Sequence, residues 1–240
     1  MRRSAIGLLI VIGSWWLLSL AVDRVLPSPF AVAVRFGELL ASGLLRHMGA
    51  SLLRVMAALA ASALLATPLG ILLGRHRWAD RILSPVAYLL YPVPKIALLP
   101  LLLLLLGSGN LTRVTVVSLV LFFQVLLAVR DAARGIDAHY FISIAALGGR
   151  RWDRFRAVIW PSVLPRLLTA LRIGSGTALA VLFFAETFFT RFGLGFFIVD
   201  SWMKLSYIDM FAGIVAISLL GLALFAAIDL VERRATRWTR

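Results

Sequence analysis

Long apolar runs without charge, separated by basic loops, constrain this chain more than any other feature. Ala5–Val22 holds no Asp, Glu, Lys or Arg. Val55–Gly74, Val114–Val129 and Met210–Ile228 repeat the pattern, Ile82–Thr112 is broken only by Lys95, and Ile173–Thr190 only by Glu186. A helix needs roughly 20 mostly apolar residues to cross the hydrocarbon of a bilayer. Hydrophobic residues make up 61% of the chain, against about 45–50% in a soluble domain, and a soluble fold of this size lacks the polar surface to cover such an excess. The expectation is an all-α membrane protein of about six transmembrane helices, residues 1–240 forming a single transmembrane domain.

The first run follows Arg2 and Arg3 and exceeds the apolar core of a secretory signal. No small-residue cleavage site follows it, so it is read as a retained helix. Ile82–Thr112 is too long for one straight span and carries Pro85, Pro92, Pro94 and Pro100. It is read as one kinked helix over about 85–106, ended by the turn Gly107-Ser108-Gly109-Asn110.

The formal charge is +14. The basic residues lie between apolar runs, so they orient the chain in a membrane and make no nucleic-acid surface. With the N-terminus inside, the outer segments hold Arg24, Arg35, Arg46, Arg54, Arg113, Arg191 and Lys204, and every other Lys and Arg falls inside. The bias predicts cytoplasmic N- and C-termini. Cysteine is absent, which excludes disulfides and thiolate metal sites.

Two loops are long. In the outer one, about 23–50, Pro27-Ser28-Pro29 precedes a helical pattern of Phe30, Val34, Leu39, Leu40, Leu44 and Leu45. This reads as an amphipathic helix, lying at the outer interface or packed over the bundle. The inner loop, about 130–168, is long enough to have structure of its own. Asp137 caps a short helix over 138–147, and Gly148-Gly149 ends it. A second helix, Arg150–Trp160, sets Trp152, Phe155, Val158 and Ile159 on one face, and Pro161 stops it. The product is a two-helix knob with an apolar face and a basic edge, suited to an anionic membrane surface or to a groove in a partner.

The stretch Ala145-Ala146-Leu147-Gly148-Gly149-Arg150-Arg151-Trp152-Asp153-Arg154-Phe155, continued to Trp160-Pro161-Ser162-Val163-Leu164-Pro165, resembles the cytoplasmic signature loop of ABC importer permeases. The nitrate/sulfonate/taurine branch is also similar at Leu26-Pro27-Ser28-Pro29, Ser51-Leu52-Leu53-Arg54-Val55, Pro92-Val93-Pro94-Lys95-Ile96-Ala97-Leu98-Leu99-Pro100, Ala185-Glu186, Gly193-Leu194-Gly195 and Phe211-Ala212-Gly213-Ile214. The resemblance implies a type I importer permease of the bacterial cytoplasmic membrane. It implies two ABC ATP-binding subunits, a second permease copy in a homodimer, and a periplasmic or lipid-anchored substrate-binding protein. The loop would couple to the ATPase through Ile142, Ser143, Ala146, Leu147, Gly148, Gly149, Arg151, Trp152, Phe155 and Pro161. The family's leading glutamate falls at Ile142 and its alanines at Ser143 and Ile144, while Gly148 is kept. Its substrates are small anions such as nitrate, sulfonates and taurine, or related small nutrients.

The chain has no engine of its own. A phosphate-binding loop needs a Gly-rich turn ending in lysine and Ser/Thr, and neither Lys95 nor Lys204 follows one. The chain therefore binds no cofactor, and ATP and Mg belong to a partner subunit. His47, His76 and His139 share no helix-face spacing, so no catalytic constellation is visible. The alternative is an ion-gradient-driven secondary transporter, for which Glu186 is the one acidic residue well inside a run. Taking the fifth helix from about residue 170 places Glu186 about 9 Å beyond its midpoint. There it partners a neighbouring helix or Arg191, or it lines the pathway or a subunit interface.

Overall fold

In the computed structural model, residues 2–22 and 25–237 are described; the side chains of residues 2–5 and 8 are not. Arg24 and Arg240, part of the charge bias above, lie outside the described residues, as do the side chains of Arg2 and Arg3. The described residues are helical with short connections: α1 (Arg2–Ala21), α2 (Pro29–Leu39), α3 (Leu45–Arg75), α4 (Arg77–Leu90), α5 (Leu99–Leu106), α6 (Asn110–Arg134), α7 (Ala138–Ala146), α8 (Arg151–Arg154), α9 (Trp160–Glu186), α10 (Leu194–Met203) and α11 (Tyr207–Ala235). Four continuous helical stretches, Pro29–Arg75, Asn110–Arg134, Arg151–Glu186 and Tyr207–Ala235, are long and apolar enough to span a membrane. The bent pair of α4 with α5 is apolar enough for a fifth if the two count as one broken span. The sixth expected span falls on α1, whose twenty residues have the length of one crossing.

The chain divides into two compact units, Met1–Leu52 with Glu186–Leu220, and Leu53–Ala185 with Gly221–Arg240. In the first, Ser28 caps α2 by accepting the Ala31 N–H at 3.3 Å, and Pro29 occupies the first turn, where a missing N–H costs nothing. Val32 and Leu39 are buried, and the Arg35 guanidinium reaches Asp209 on α11 at 2.6 Å. The helix of the 23–50 loop therefore packs on protein. It runs through a π-helical turn at Leu40–Leu44 into α3, with Gly43 at φ 127° taking the kink. Trp15 on α1 donates to the Pro27 carbonyl at 3.1 Å and lies 6.0 Å from the Phe211 ring.

In the second unit, α3 meets α6 along a stripe of small residues at every fourth position, Ala66, Gly70 and Gly74. A Cβ on Gly74 would stand 2.5 Å from the Arg130 carbonyl oxygen and 2.7 Å from the Ala133 Cβ, and one on Gly70 2.9 Å from the Leu126 oxygen. Close backbone approach through small residues is the packing that operates where no water drives helices together. Ala66, Val125, Leu126, Val129, Ala133, Val163 and Leu167 form the buried core around it. At the end of the unit, Arg130 reaches Asp80 at 2.6 Å and ties α6 to α4. Farther along the chain, Arg172 on α9 meets Asp229 and Glu232 on α11 at 2.9 and 3.0 Å.

The third apolar run departs from expectation. It is two helices with axes 82° apart, joined by Tyr91–Pro94 and a short 3-10 turn at Lys95–Leu98. Pro92 and Pro94 withhold two backbone donors, too close together for one kinked helix to absorb. Lys95 stabilises the break: its buried ammonium donates to the Leu90 and Tyr91 carbonyls at 2.7 and 2.5 Å and sits 4.6 Å from the Phe123 ring centroid. The carbonyls left open at the end of α4 are thus held by a cation, the charge a helix C-terminus favours. Arg113 on α6 instead holds the turn between α5 and α6, donating to the Ser108 and Gly109 carbonyls at 2.5 and 2.7 Å.

Candidate functional site

The signature-loop motif between α6 and α9 builds a hairpin. Asp137 opens α7, its Oδ1 accepting the His139 N–H at 2.9 Å and meeting His139 Nδ1 at 2.8 Å. These bonds, the backbone one foremost, hold the Asp137 carboxyl below its ordinary pKa. Gly148 at φ 74° ends α7: its N–H reaches the Ala145 carbonyl at 3.0 Å and the Gly149 N–H reaches the Ile144 carbonyl at 2.9 Å. This double closure with a left-handed glycine is a Schellman cap. Gly149 has no room for a Cβ, which would collide with Ile144. The chain restarts at once, with Asp153 accepting the Arg150 N–H at 2.7 Å as the return half of a capping box.

One face of α7 is anchored. Phe141 lies under the Arg75 guanidinium at the end of α3, 4.1 Å from its ring centroid. The other face is bare: Tyr140, Ile142 and Leu147 are exposed, Leu147 at 87%, and Trp152 across the turn at 66%. Ser143 turns its hydroxyl back to the His139 carbonyl at 2.9 Å, and Ala146 and Arg151 are exposed beside it. Trp152 stacks on Phe155 at 5.4 Å, so the half-buried Phe155 supports the exposed indole.

The second limb differs from the expected short helix. Pro161 does not stop it: α8 runs through a π-helical turn at Phe155–Ile159 into α9, one continuous stretch from Arg151 to Glu186. In that turn the Trp160 N–H reaches back to Phe155. Widening the ladder by one residue just ahead of Pro161 lets the helix carry a residue that donates nothing. The knob is therefore one free helix, α7, folded against the start of a long span, and Pro161 lies inside that span.

Glu186 lies at the opposite end of α9 and is 0% exposed. The helix stops there, short of the expected end at Thr190. Its carboxylate oxygens accept the Ser51 hydroxyl at 2.9 and 2.8 Å, and Oε2 accepts the Gly195 N–H at 3.0 Å. The Leu194 N–H donates to Ser51 Oγ at 2.8 Å. The carboxylate thus sits at the N-terminus of α10, where free amides and the helix dipole favour an anion. Gly193 stands against it at φ 138°, in a space a Cβ would fill. Close by, His47 Nδ1 lies 3.0 Å from the Gly193 carbonyl oxygen, and its ring stacks on Phe196.

Three sequence motifs noted separately, at Ser51, Glu186 and Gly193-Leu194-Gly195, prove to be one cluster. Their signal was a hydroxyl, a carboxyl and paired glycines in otherwise apolar surroundings; nothing in their spacing linked them. His47 carried no signal beyond its place at a helix end. Among the described residues, no group of three His, Asp or Glu side chains gathers to hold a metal ion.

Residues 66–237 match the binding-protein-dependent transport system inner membrane components, and the chain belongs to that family; it is a multi-pass membrane protein and an ABC transporter permease subunit. It is 30% identical over 228 residues to a probable ABC transporter permease protein of Brucella melitensis biotype 1, covering 95% of this chain and 93% of that one. It is 32% identical over 193 residues to the taurine transport system permease protein TauC of Escherichia coli (strain K12), covering 80% of this chain and 70% of TauC. The fold is also that of a chain of the inward-facing MetNI methionine ABC transporter, with a TM-score of 0.68 at 18% identity over 82% of this chain and 98% of that one.

Proposed function

We propose that this permease forms half of the translocation pathway of an ATP-driven importer in a bacterial cytoplasmic membrane, and that its α7 hairpin receives the stroke of a separate ATPase. The observation that carries the reading is the hairpin itself: both ends of α7 are capped, its inner face is pinned through Phe141, and its outer face leaves Tyr140, Ile142, Leu147 and Trp152 bare. Exposed apolar side chains on a rigid amphipathic helix suit a partner's groove. Ile142, where the family's signature places glutamate, makes this contact apolar; an exposed ion pair there contributes only about 0–1 kcal/mol, so docking survives its loss.

The positive-inside bias supports cytoplasmic termini and a cytoplasmic hairpin. In the full machine two permease copies meet, two ATP-binding subunits dock beneath, and a periplasmic or lipid-anchored binding protein delivers substrate from outside. ATP closes the ATPases, the hairpins move with them, and the continuous helix from Arg151 to Glu186 carries that motion across the bilayer. The cargo is a small anion of the nitrate, sulfonate or taurine kind or a related small nutrient; the taurine and aliphatic sulfonate permeases among its relatives support this.

The test is reconstitution with the ATP-binding subunits in vesicles. Replacing Trp152 with Asp and Phe155 with Ala should leave insertion intact and uncouple ATP hydrolysis from uptake. Full coupling in the double variant overturns the assignment of the hairpin. Uptake by ATP-depleted vesicles given only an ion gradient overturns ATP-driven import.

A further inference from the structure

The cytoplasmic-loop end of the second unit carries two adjoining concavities with opposite chemistry. One is a groove of about 600 Å³ running along α3 from Ala63 to His76, walled on the other side by Ile159, Trp160 and Leu167. Apart from Arg75 and His76 at one end, its lining is nearly all apolar. The other is a basin of about 710 Å³ lined by Arg75, Arg77, Arg81 and Arg134, with Asp80 as its one acid. Asp80 is already engaged by Arg130 at 2.6 Å and by Arg134 at 3.3 Å. Arg77 and Arg81 make no ion pair among the described residues. Arg75 lines both concavities, so an excess of positive charge stands at one end of the apolar groove.

The dimensions match one leaflet. Thirteen residues of α3, from Ala63 to Arg75, extend about 20 Å, close to the ~15 Å of hydrocarbon on one side of a bilayer. Trp78, at the start of α4 just past the end of α3, is 64% exposed, the placement of a tryptophan at headgroup level. A basic pocket between spanning helices is the arrangement that selects anionic lipid heads.

We infer that this site seats one anionic phospholipid: its phosphate lies among Arg77, Arg81 and Arg134, Arg75 marks the junction, and one acyl chain follows α3 past Ile71 to Ala63 against Ile159 and Leu167. The chemistry required is a phosphate with an attached hydrocarbon chain, which a free anion does not supply. Because Arg75 also holds Phe141 of α7, the lipid sits where the hairpin is anchored to the spans. The inference rests on the proposed topology, in which this end of α3 faces the cytoplasm.

The experiment is a lipid titration of the purified full chain in detergent, read by native mass spectrometry, with phosphatidylglycerol, phosphatidylcholine and inorganic phosphate as probes. Phosphatidylglycerol should bind at least about tenfold more tightly than phosphatidylcholine, and millimolar inorganic phosphate should not displace it. Arg77→Gln with Arg81→Gln should erase the preference, and Leu64→Trp, at an exposed groove position, should weaken binding of the chain-bearing lipid. Arg134→Gln serves the same purpose if the double variant fails to insert. Equal binding of the two lipids, an undiminished preference in the arginine variants, or full displacement by phosphate overturns the inference. The topology is read separately: the chain has no cysteine, so a single His139→Cys labelled only from outside sinks the topology, whatever the lipid titration shows.

Discussion

The Ser51 hydroxyl bridges both carboxylate oxygens of Glu186, at 2.9 and 2.8 Å, while accepting the Leu194 N–H at 2.8 Å. One small side chain on α3 thereby joins the end of α9 to the start of α10. The carboxylate is fully buried, so each of its bonds matters more than a surface one. Ser51→Ala should cost about 1.5–3 kcal/mol, the range for a hydrogen bond to a charged group, measured as a fall in the thermal unfolding midpoint in detergent. Glu186→Leu should cost more, since it leaves the Ser51 hydroxyl and the Gly195 N–H buried without this acceptor. Gly193→Ala should also destabilise, by at least the ~1–3 kcal/mol of a strained backbone, because φ is 138° and the new methyl meets the carboxylate. Unchanged midpoints in all three variants would refute the account of this cluster.

The α3–α6 contact makes a sharper steric prediction. Gly74→Leu places atoms where the Arg130 carbonyl and Ala133 already stand, and the helices must separate. The yield of folded protein on size exclusion should collapse. Gly49→Ala on the same helix has nothing within 4 Å of the new methyl and should be neutral or stabilising by up to ~1 kcal/mol from helix propensity. Equal yields for the two variants would remove close packing as the reason for the glycines.

The hairpin's caps should control coupling without affecting insertion. Gly148→Ala forces an alanine to φ 74°, at about 1 kcal/mol or more, and should lower ATP-coupled uptake while membrane levels stay constant. Asp137→Ala removes the opening cap, and hydrogen exchange in α7 should rise at neutral pH. The folded-state pKa of Asp137 is lowered, so its contribution is present above the ordinary carboxylate value and lost as pH falls through the lowered one. The difference in exchange between wild type and Asp137→Ala should therefore close only in strong acid. A difference that closes near neutrality would take the cap away from the carboxylate.

Much of the fold was legible because lipid imposes a simple rule. The runs Val55–Gly74, Val114–Val129 and Met210–Ile228 fall inside α3, α6 and α11, since an apolar stretch of that length has few other places to go. Asp137 and Gly148 were readable as caps, because capping depends on residues a few positions apart. The error at Pro161 was also local. Proline forbids one hydrogen bond, yet a π-helical turn upstream accommodates it, and that accommodation depends on what the helix packs against. The break at Tyr91–Pro94 was misjudged for a similar reason, because its stability comes from Lys95 folding back on the end of α4.

The sequence by itself determined what kind of solvent this protein needs, where most of its spans lie, and that a capped loop stands between two of them. These follow from hydrophobicity and short-range backbone chemistry, which neighbours along the chain decide. Only the tertiary structure decided that Ser51, Glu186 and Gly195 meet, that α3 and α6 touch at Gly74, and that Arg75 joins an apolar groove to a basic basin. Ser51 lies 135 residues from Glu186, α3 and α6 are separated by two further helices, and Arg75 depends on which face of its helix turns inward, so tertiary packing selects these contacts.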